Sequence, residues 1–99
     1  MEPLKLFLVH CGFYDTELLD GVYESHVNFL VGATSFETAR DAVKLEPDFQ
    51  KKKMHVDGLQ HIDAIHGCRV HLHPEPELNG KSIIVSSRHR DLAPKKVQS

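Results

Sequence analysis

Residues 4–11 of the chain, LKLFLVHC, are apolar at almost every position, with a single lysine in the run. A strand with one solvent-exposed face alternates apolar and polar residues. A short continuous apolar run is typical of a strand that is covered on both faces. The run therefore predicts a central strand of a sheet. Gly12 is predicted to end it.

A second strand is predicted for residues 26–32, where Val27, Phe29 and Val31 alternate with more polar neighbours. Residues 13–25 lie between the two strands and carry four acidic residues and an Asp-Gly turn signal. This composition predicts a long connection. Ordered connections of such length are often binding elements.

A helix is predicted to follow the second strand. Thr34 and Glu37 have the spacing of a capping box, in which the two side chains satisfy free backbone N–H groups at a helix start. Phe36, Ala39 and Val43 then recur at i, i+3 and i+7, which places one helix face against a sheet.

Two further strand-like runs flank the sequence Ile65-His66-Gly67. A three-residue turn with Gly67 in the left-handed conformation is favoured over a two-residue turn, because it pairs apolar with apolar residues across the hairpin. In this register His61 faces His71, and His73 lies on the same face two residues along. Gly58 is predicted to mark a β-bulge before the hairpin.

Together these elements predict one small α+β domain over residues 1–87. Its order is ββαββ, with a mainly antiparallel sheet and one packed helix. Residues 83–85 are a possible short extra strand at an edge, and the basic residues 88–99 are predicted to form a disordered tail. The side chains on which the fold is expected to depend most are Phe7, Leu8, Phe29 and Val43.

Three segments carry a family resemblance: LFLVHCG at residues 6–12, ESHVNFLVGATSFETAR at 24–40 and MHVDGLQHID at 54–63. In these segments the chain resembles a small bacterial family catalogued as domain of unknown function 1543. The resemblance implies a bacterial protein with one or two copies of the domain and no assigned activity. A single copy could pair with itself to reproduce the two-copy arrangement.

Charge and composition bear on location and partners. Residues 1–80 hold 13 acidic residues against 7 lysines and arginines, and residues 81–99 hold 5 basic residues against one acidic. The acidic body argues against nucleic acid as a partner, because nucleic-acid binders show a domain-wide basic excess. No apolar run approaches the ~20 residues of a membrane span. The absence of a signal-peptide pattern and of CxxC pairs leads us to expect a cytoplasmic protein.

Histidines are abundant: five of the eight in the chain fall within residues 55–73. In the predicted hairpin, His61, His71 and His73 can supply three ligands of a tetrahedral zinc site with water in the fourth position, and such a water is a hydrolytic nucleophile. The alternative is that the three imidazoles form the solvent-exposed face of the hairpin. The lack of an acidic group to orient them favours this alternative.

A second candidate site lies where the first two strands meet. Antiparallel pairing would bring Cys11 near His26, so that the thiol becomes a nucleophile while Glu24 or Asp15 orients the imidazole. Against this hypothesis, Cys11 shares the alternation of Phe7 and Val9, which is typical of a core thiol.

Because neither set of residues is a convincing catalytic group, the sequence favours a non-catalytic binding or assembly module. A homodimer is the expected assembly, since an exposed edge strand can pair with another chain. The alternative is a small hydrolase that uses a histidine-rich metal site or the Cys/His pair. The sequence identifies neither a cofactor nor a small-molecule ligand.

Overall fold

The computed structural model describes residues 2–15 and 23–92. Its sheet is built on β1 (Lys5–Tyr14), which pairs antiparallel with β2 (Glu24–Ala33) on one side and β3 (His55–Ile62) on the other. The prediction of a central first strand is confirmed by the strand order β2-β1-β3. The expected cover on both faces is not observed: the core packs on one face of β1, and Leu6, Leu8 and His10 on the other face remain partly exposed.

Both strands are longer than the sequence predicts. β1 continues through Gly12 to Tyr14, because Phe13 extends the buried alternation and remains only 8% exposed. β2 begins at Glu24, so the connection between the strands is shorter than residues 13–25. Residues 16–22 of the predicted loop lie outside the described residues.

One face of β1 forms the core. Phe7, Val9, Cys11 and Phe13 are buried there, and they pack with Ala39 and Val43 of α1 (Phe36–Lys44). Phe29 is partly buried against the same cluster, as predicted. The prediction that Leu8 belongs to the core is wrong. Neighbouring positions on a strand face opposite sides, so Leu8 lies on the other face of the sheet and outside the core cluster.

The helix begins with a capping box one residue later than predicted. Ser35 is the N-cap: its Oγ accepts from the Thr38 backbone N–H at 3.2 Å, and Thr38 Oγ1 accepts from the Ser35 N–H at 3.0 Å. Thr38 thus takes the part that the sequence assigns to Glu37, because a threonine hydroxyl three residues after the cap can also reach back to it. A short second helix, α2 (Pro47–Lys51), precedes β3.

The hairpin register also differs from the prediction. β4 (Ala64–Ile65) pairs with β5 (Cys68–Arg69) so that Ile65 faces Cys68, which leaves a two-residue turn. His66 and Gly67 have φ of 48° and 79°, the signs that a type I′ turn needs at both central positions. Matching of apolar residues does not decide the register here, because both short strands are exposed.

The chain after β5 contributes little to the sheet. Ile83, Ile84 and Val85, the possible extra strand, form no ladder within the described residues. Two 3-10 turns, Pro76–Leu78 and His89–Asp91, interrupt this segment. Of the predicted tail, residues 93–99 lie outside the described residues.

The protein is therefore a small α+β domain with an antiparallel three-stranded sheet and one main helix, in roughly ββαββ order, as the sequence predicts. Within residues 2–15 and 23–92, no helix has the length and apolar character that crossing a membrane requires.

The two faces of β1 should differ in their sensitivity to truncation. Phe7→Ala should lower the free energy of unfolding by about 3–5 kcal/mol, because it leaves a cavity among fully buried side chains. Leu8→Ala, at the adjacent position, should cost about 1 kcal/mol. Urea denaturation of both variants measures the difference, and equal losses would contradict the assignment of faces.

Candidate metal centre

The face of the sheet opposite α1 carries five convergent polar side chains, which we call the open-face cluster. One comes from β1, two from β2 and two from β3: His10, Glu24, His26, His55 and Asp57. The side chains from β2 and β3 are partly exposed, from 29% for Glu24 to 45% for His26 and His55, and His10 is half-buried. Solvent and ions therefore have access to them.

Gly12 lies beneath the cluster and makes it possible. It pairs with His26 on β2 and with His55 on β3, so both imidazoles flank a residue without a side chain. A Cβ at this position would lie 2.8 Å from both Asp57 Oδ2 and His55 Nε2 and would overlap Glu24 Oε1. The polar atoms thus occupy the space that any other residue would fill.

A β-bulge brings in Asp57. His10 pairs with Gly58 while Cys11 pairs with Val56, so Asp57 is the extra residue of β3. The bulge predicted at Gly58 is confirmed at this place in the strand. Bulges re-aim side chains and are frequent beside functional sites.

Imidazoles and carboxylates alternate within the cluster. His55 Nε2 lies 3.0 Å from Glu24 Oε1 and 3.1 Å from Asp57 Oδ1. His26 Nε2 lies 3.2 Å from the same Glu24 oxygen and 3.6 Å from Asp57 Oδ2. Of these pairs, His55 and Glu24 form a hydrogen bond at 3.0 Å.

These separations also match the donor spacing around a small metal ion. Zinc binds imidazole nitrogen and carboxylate oxygen at about 2.0–2.2 Å, which puts the donors of a tetrahedral site roughly 3.3–3.6 Å apart. Two sets of three residues have donor atoms within 4.8 Å of one another: Glu24, His55 and Asp57, and His10, His26 and Asp57. The two sets share Asp57.

His10 is held in place by its neighbour on β2. Its Nδ1 lies 2.6 Å from Asn28 Oδ1, so the ring N–H donates to the amide oxygen and the lone pair remains on Nε2. Its ring also stacks on His26, with centroids 4.9 Å apart. An imidazole whose second nitrogen donates to an oxygen in this way is the usual arrangement of a metal ligand.

A groove of about 460 Å³ adjoins the cluster on the same side of the sheet. Leu8 contributes an apolar side chain to its lining, and Asn28 and Gln60 supply amide groups. His10 lines both the groove and the cluster. The groove therefore connects solvent to one edge of the candidate site.

The structure does not bring Cys11 and His26 together. Cys11 is fully buried among core residues and pairs with Val27 and Val56, whereas His26 lies on the opposite face. Burial raises the pKa of the Cys11 thiol, and the negative charge of Asp57 raises it further. Glu24 and His26 are neighbours, as predicted, but they belong to the open-face cluster rather than to a thiol site.

The three histidines predicted as zinc ligands also take different positions. His61 pairs with Phe7 on the helix side of the sheet, where the two ring centroids are 5.4 Å apart. His71 and His73 are exposed beyond β5 and belong to no ladder. The two-residue turn removes the predicted pairing of His61 with His71. Among the described residues, neither set of potential ligands contains any of the three.

Sequence reasoning missed His10, His55 and Asp57. A signal for them is present, because Glu24-x-His26 and His55-x-Asp57 each place two polar side chains on one face of a strand. The sequence does not show that these two pairs flank the same glycine. That requires the strand order, with β1 between β2 and β3.

Comparison with known proteins adds no relative. No family model matches the chain, and neither the curated proteins nor the solved structures contain a significant match.

The two cysteines should differ sharply in reactivity. Cys68 is exposed, whereas Cys11 is buried and its raised pKa leaves little thiolate at pH 8. With iodoacetamide under native conditions, mass spectrometry should show modification of Cys68 alone.

The Cys68→Ser variant provides the control for this measurement. It should remain unmodified when folded and should react once guanidinium exposes Cys11. Rapid alkylation of the folded variant would mean that Cys11 is accessible and that the core assignment is wrong.

Proposed function

We propose that the protein is a non-catalytic binding domain whose ligand is a divalent transition-metal ion of the zinc class. The observation that carries the proposal is the convergence of Glu24, His55 and Asp57 over Gly12, with His26 beside them. The Nε2 atoms of His26 and His55 each lie 3.0–3.6 Å from a carboxylate oxygen of Glu24 and one of Asp57. This spacing of donor atoms suits ions that form short bonds.

The types of ligand favour one class of ion. Calcium and magnesium take oxygen ligands almost exclusively, whereas imidazole suits zinc, copper, nickel and iron. The open-face cluster offers three imidazoles and two carboxylates. The two carboxylates also attract divalent cations.

Binding is favoured over hydrolysis by the surroundings of the cluster. A hydrolase that uses metal-bound water needs a further group to position substrate or to protonate the leaving group. Among the described residues that line the adjoining groove, His10 alone can ionise, and it belongs to a ligand set. A small metal-dependent hydrolase is the alternative, and turnover of ester or phosphoester substrates by the zinc-loaded protein would support it.

A second proposed property is assembly into a homodimer. Ile83, Ile84 and Val85 are 73%, 73% and 93% exposed, and their type favours strand pairing. β2 and β3 each pair on one side only within the described residues, so each offers a free edge. The basic charge of residues 81–99 complements the acidic body of residues 1–80, which makes a second copy of this chain the fitting partner.

The remaining expectations complete the proposal. Composition supports a cytoplasmic location and argues against nucleic acid as a partner. The family resemblance supports a bacterial origin.

Zinc binding should depend on Asp57 and Gly12. Equilibrium dialysis of the untagged protein should detect bound Zn²⁺, and Asp57→Asn should weaken binding by about tenfold or more, since it neutralises a ligand. Gly12→Ala should weaken it as well, because the new Cβ displaces Glu24, His55 and Asp57.

Two matched controls accompany these variants. Gly58→Ala places a Cβ where no atom lies within 4 Å, so it should bind zinc like the parent. His71→Ala should also bind normally. Unchanged binding by Asp57→Asn, or loss of binding in His71→Ala, would overturn the proposed location of the site.

The dimer should depend on the exposed apolar segment. Sedimentation equilibrium at high micromolar concentration should show a dimer, and Ile84→Lys should shift it to monomer because a charge in a paired apolar strand is unfavourable. Leu45→Lys, at a position 75% exposed after α1, serves as the control and should remain dimeric. A monomeric parent protein would contradict the proposal.

A further inference from the structure

We propose that the open-face cluster holds two metal ions rather than one, and that the carboxylate of Asp57 bridges them. This inference rests on the proposed metal-binding function and deepens it. The first ion would lie between Glu24, His55 and Asp57, and the second between His10, His26 and Asp57.

The carboxylate of Asp57 faces two different imidazoles with its two oxygens. Oδ1 lies 3.1 Å from His55 Nε2, and Oδ2 lies 3.6 Å from His26 Nε2. A carboxylate that served a single ion would direct one oxygen, or both together, at one set of donors. Its position as the extra residue of a bulge explains how it reaches both sides.

The grouping of the donor atoms supports two sites. They fall into two sets of three that share Asp57, not into one set of four or five. His26 and His55 lie on either side of Gly12, on β2 and β3 respectively. Neither set of three contains both of these histidines, so the two imidazoles are placed for different ions.

Glu24 provides a second link between the two sets. Its Oε1 is 3.0 Å from His55 Nε2 and 3.2 Å from His26 Nε2. One oxygen is thus placed between the two imidazoles, as a bridging ligand would be. Paired metal sites hold their ions about 3.5–4 Å apart, a spacing that one or two bridging oxygen groups set.

His10 completes the second set. Its ring is oriented by the hydrogen bond to Asn28 and by stacking on His26, and neither contact involves the first set. Asn28 therefore acts as a positioning residue for the second ion alone. This separation allows the two ions to be tested independently.

The test is the number of zinc ions bound per chain, measured by titration calorimetry and by elemental analysis after dialysis. The parent protein should bind two Zn²⁺. His10→Ala should bind one, and Asn28→Ala should keep the first ion and weaken the second by about 10–100-fold, the usual effect of removing a partner that orients a ligand. His55→Ala should lose the first ion and keep the second, which lies between His10, His26 and Asp57.

Asp57→Asn tests the bridge and should lower the affinity for both ions. Loss of one ion alone would overturn the bridging role. His10→Gln, with circular dichroism of every variant, excludes misfolding as the cause of a loss. His73→Ala, on an exposed residue outside both sets, should retain two ions.

The outcomes separate the inference from the proposed function. One ion per parent chain, lost in His55→Ala and kept in His10→Ala, would overturn the second site and leave the proposed function intact. An absence of bound zinc in the parent protein would overturn both.

Discussion

The rest of the structure depends on β1, which lies between β2 and β3 and points alternate side chains to the two faces of the sheet. Its odd positions from Phe7 to Phe13 are buried under α1, and this burial fixes which way every second residue points. A shift of one residue would expose that apolar row, so the register is strongly constrained. The same constraint directs His10 and Gly12 to the opposite face, between β2 and β3. The core thus determines where the polar cluster forms.

The elements that the sequence predicts well are those in which burial requires a regular spacing of apolar residues. The central strand, the second strand and the helix face with Ala39 and Val43 each have a clear apolar period, and all three occur. The hairpin turn could not be predicted in the same way, because Ala64, Ile65, Cys68 and Arg69 are exposed and burial does not select their pairing. There, the ability of His66 and Gly67 to adopt positive φ decides the turn. The site could be predicted only in part, since Glu24 and His26 are close in sequence whereas His10, His55 and Asp57 join them through strand order and a bulge.

The open-face cluster contributes little to stability, which supports a role in binding. Its side chains are about one-third to one-half exposed, and ion pairs at such positions are worth roughly 0–1 kcal/mol each. Two carboxylates held close together over a glycine also repel each other. A sheet selected for stability alone would place β-branched or aromatic residues at these positions. The arrangement is explained better by a cation that the carboxylates attract and the imidazoles coordinate.

A bound cation would in turn support the fold. β2 and β3 have no direct pairing and are held together through β1 and α1. Ligands from all three strands would let an ion link both edges of the sheet across Gly12, and because the assembled ligand set requires the folded sheet, binding free energy becomes folding free energy. Domains of this size bury a limited core, and small proteins often add a metal to compensate. The cluster therefore lies where an ion could link the three strands: over the central strand of the three-stranded sheet, on the face that α1 leaves uncovered.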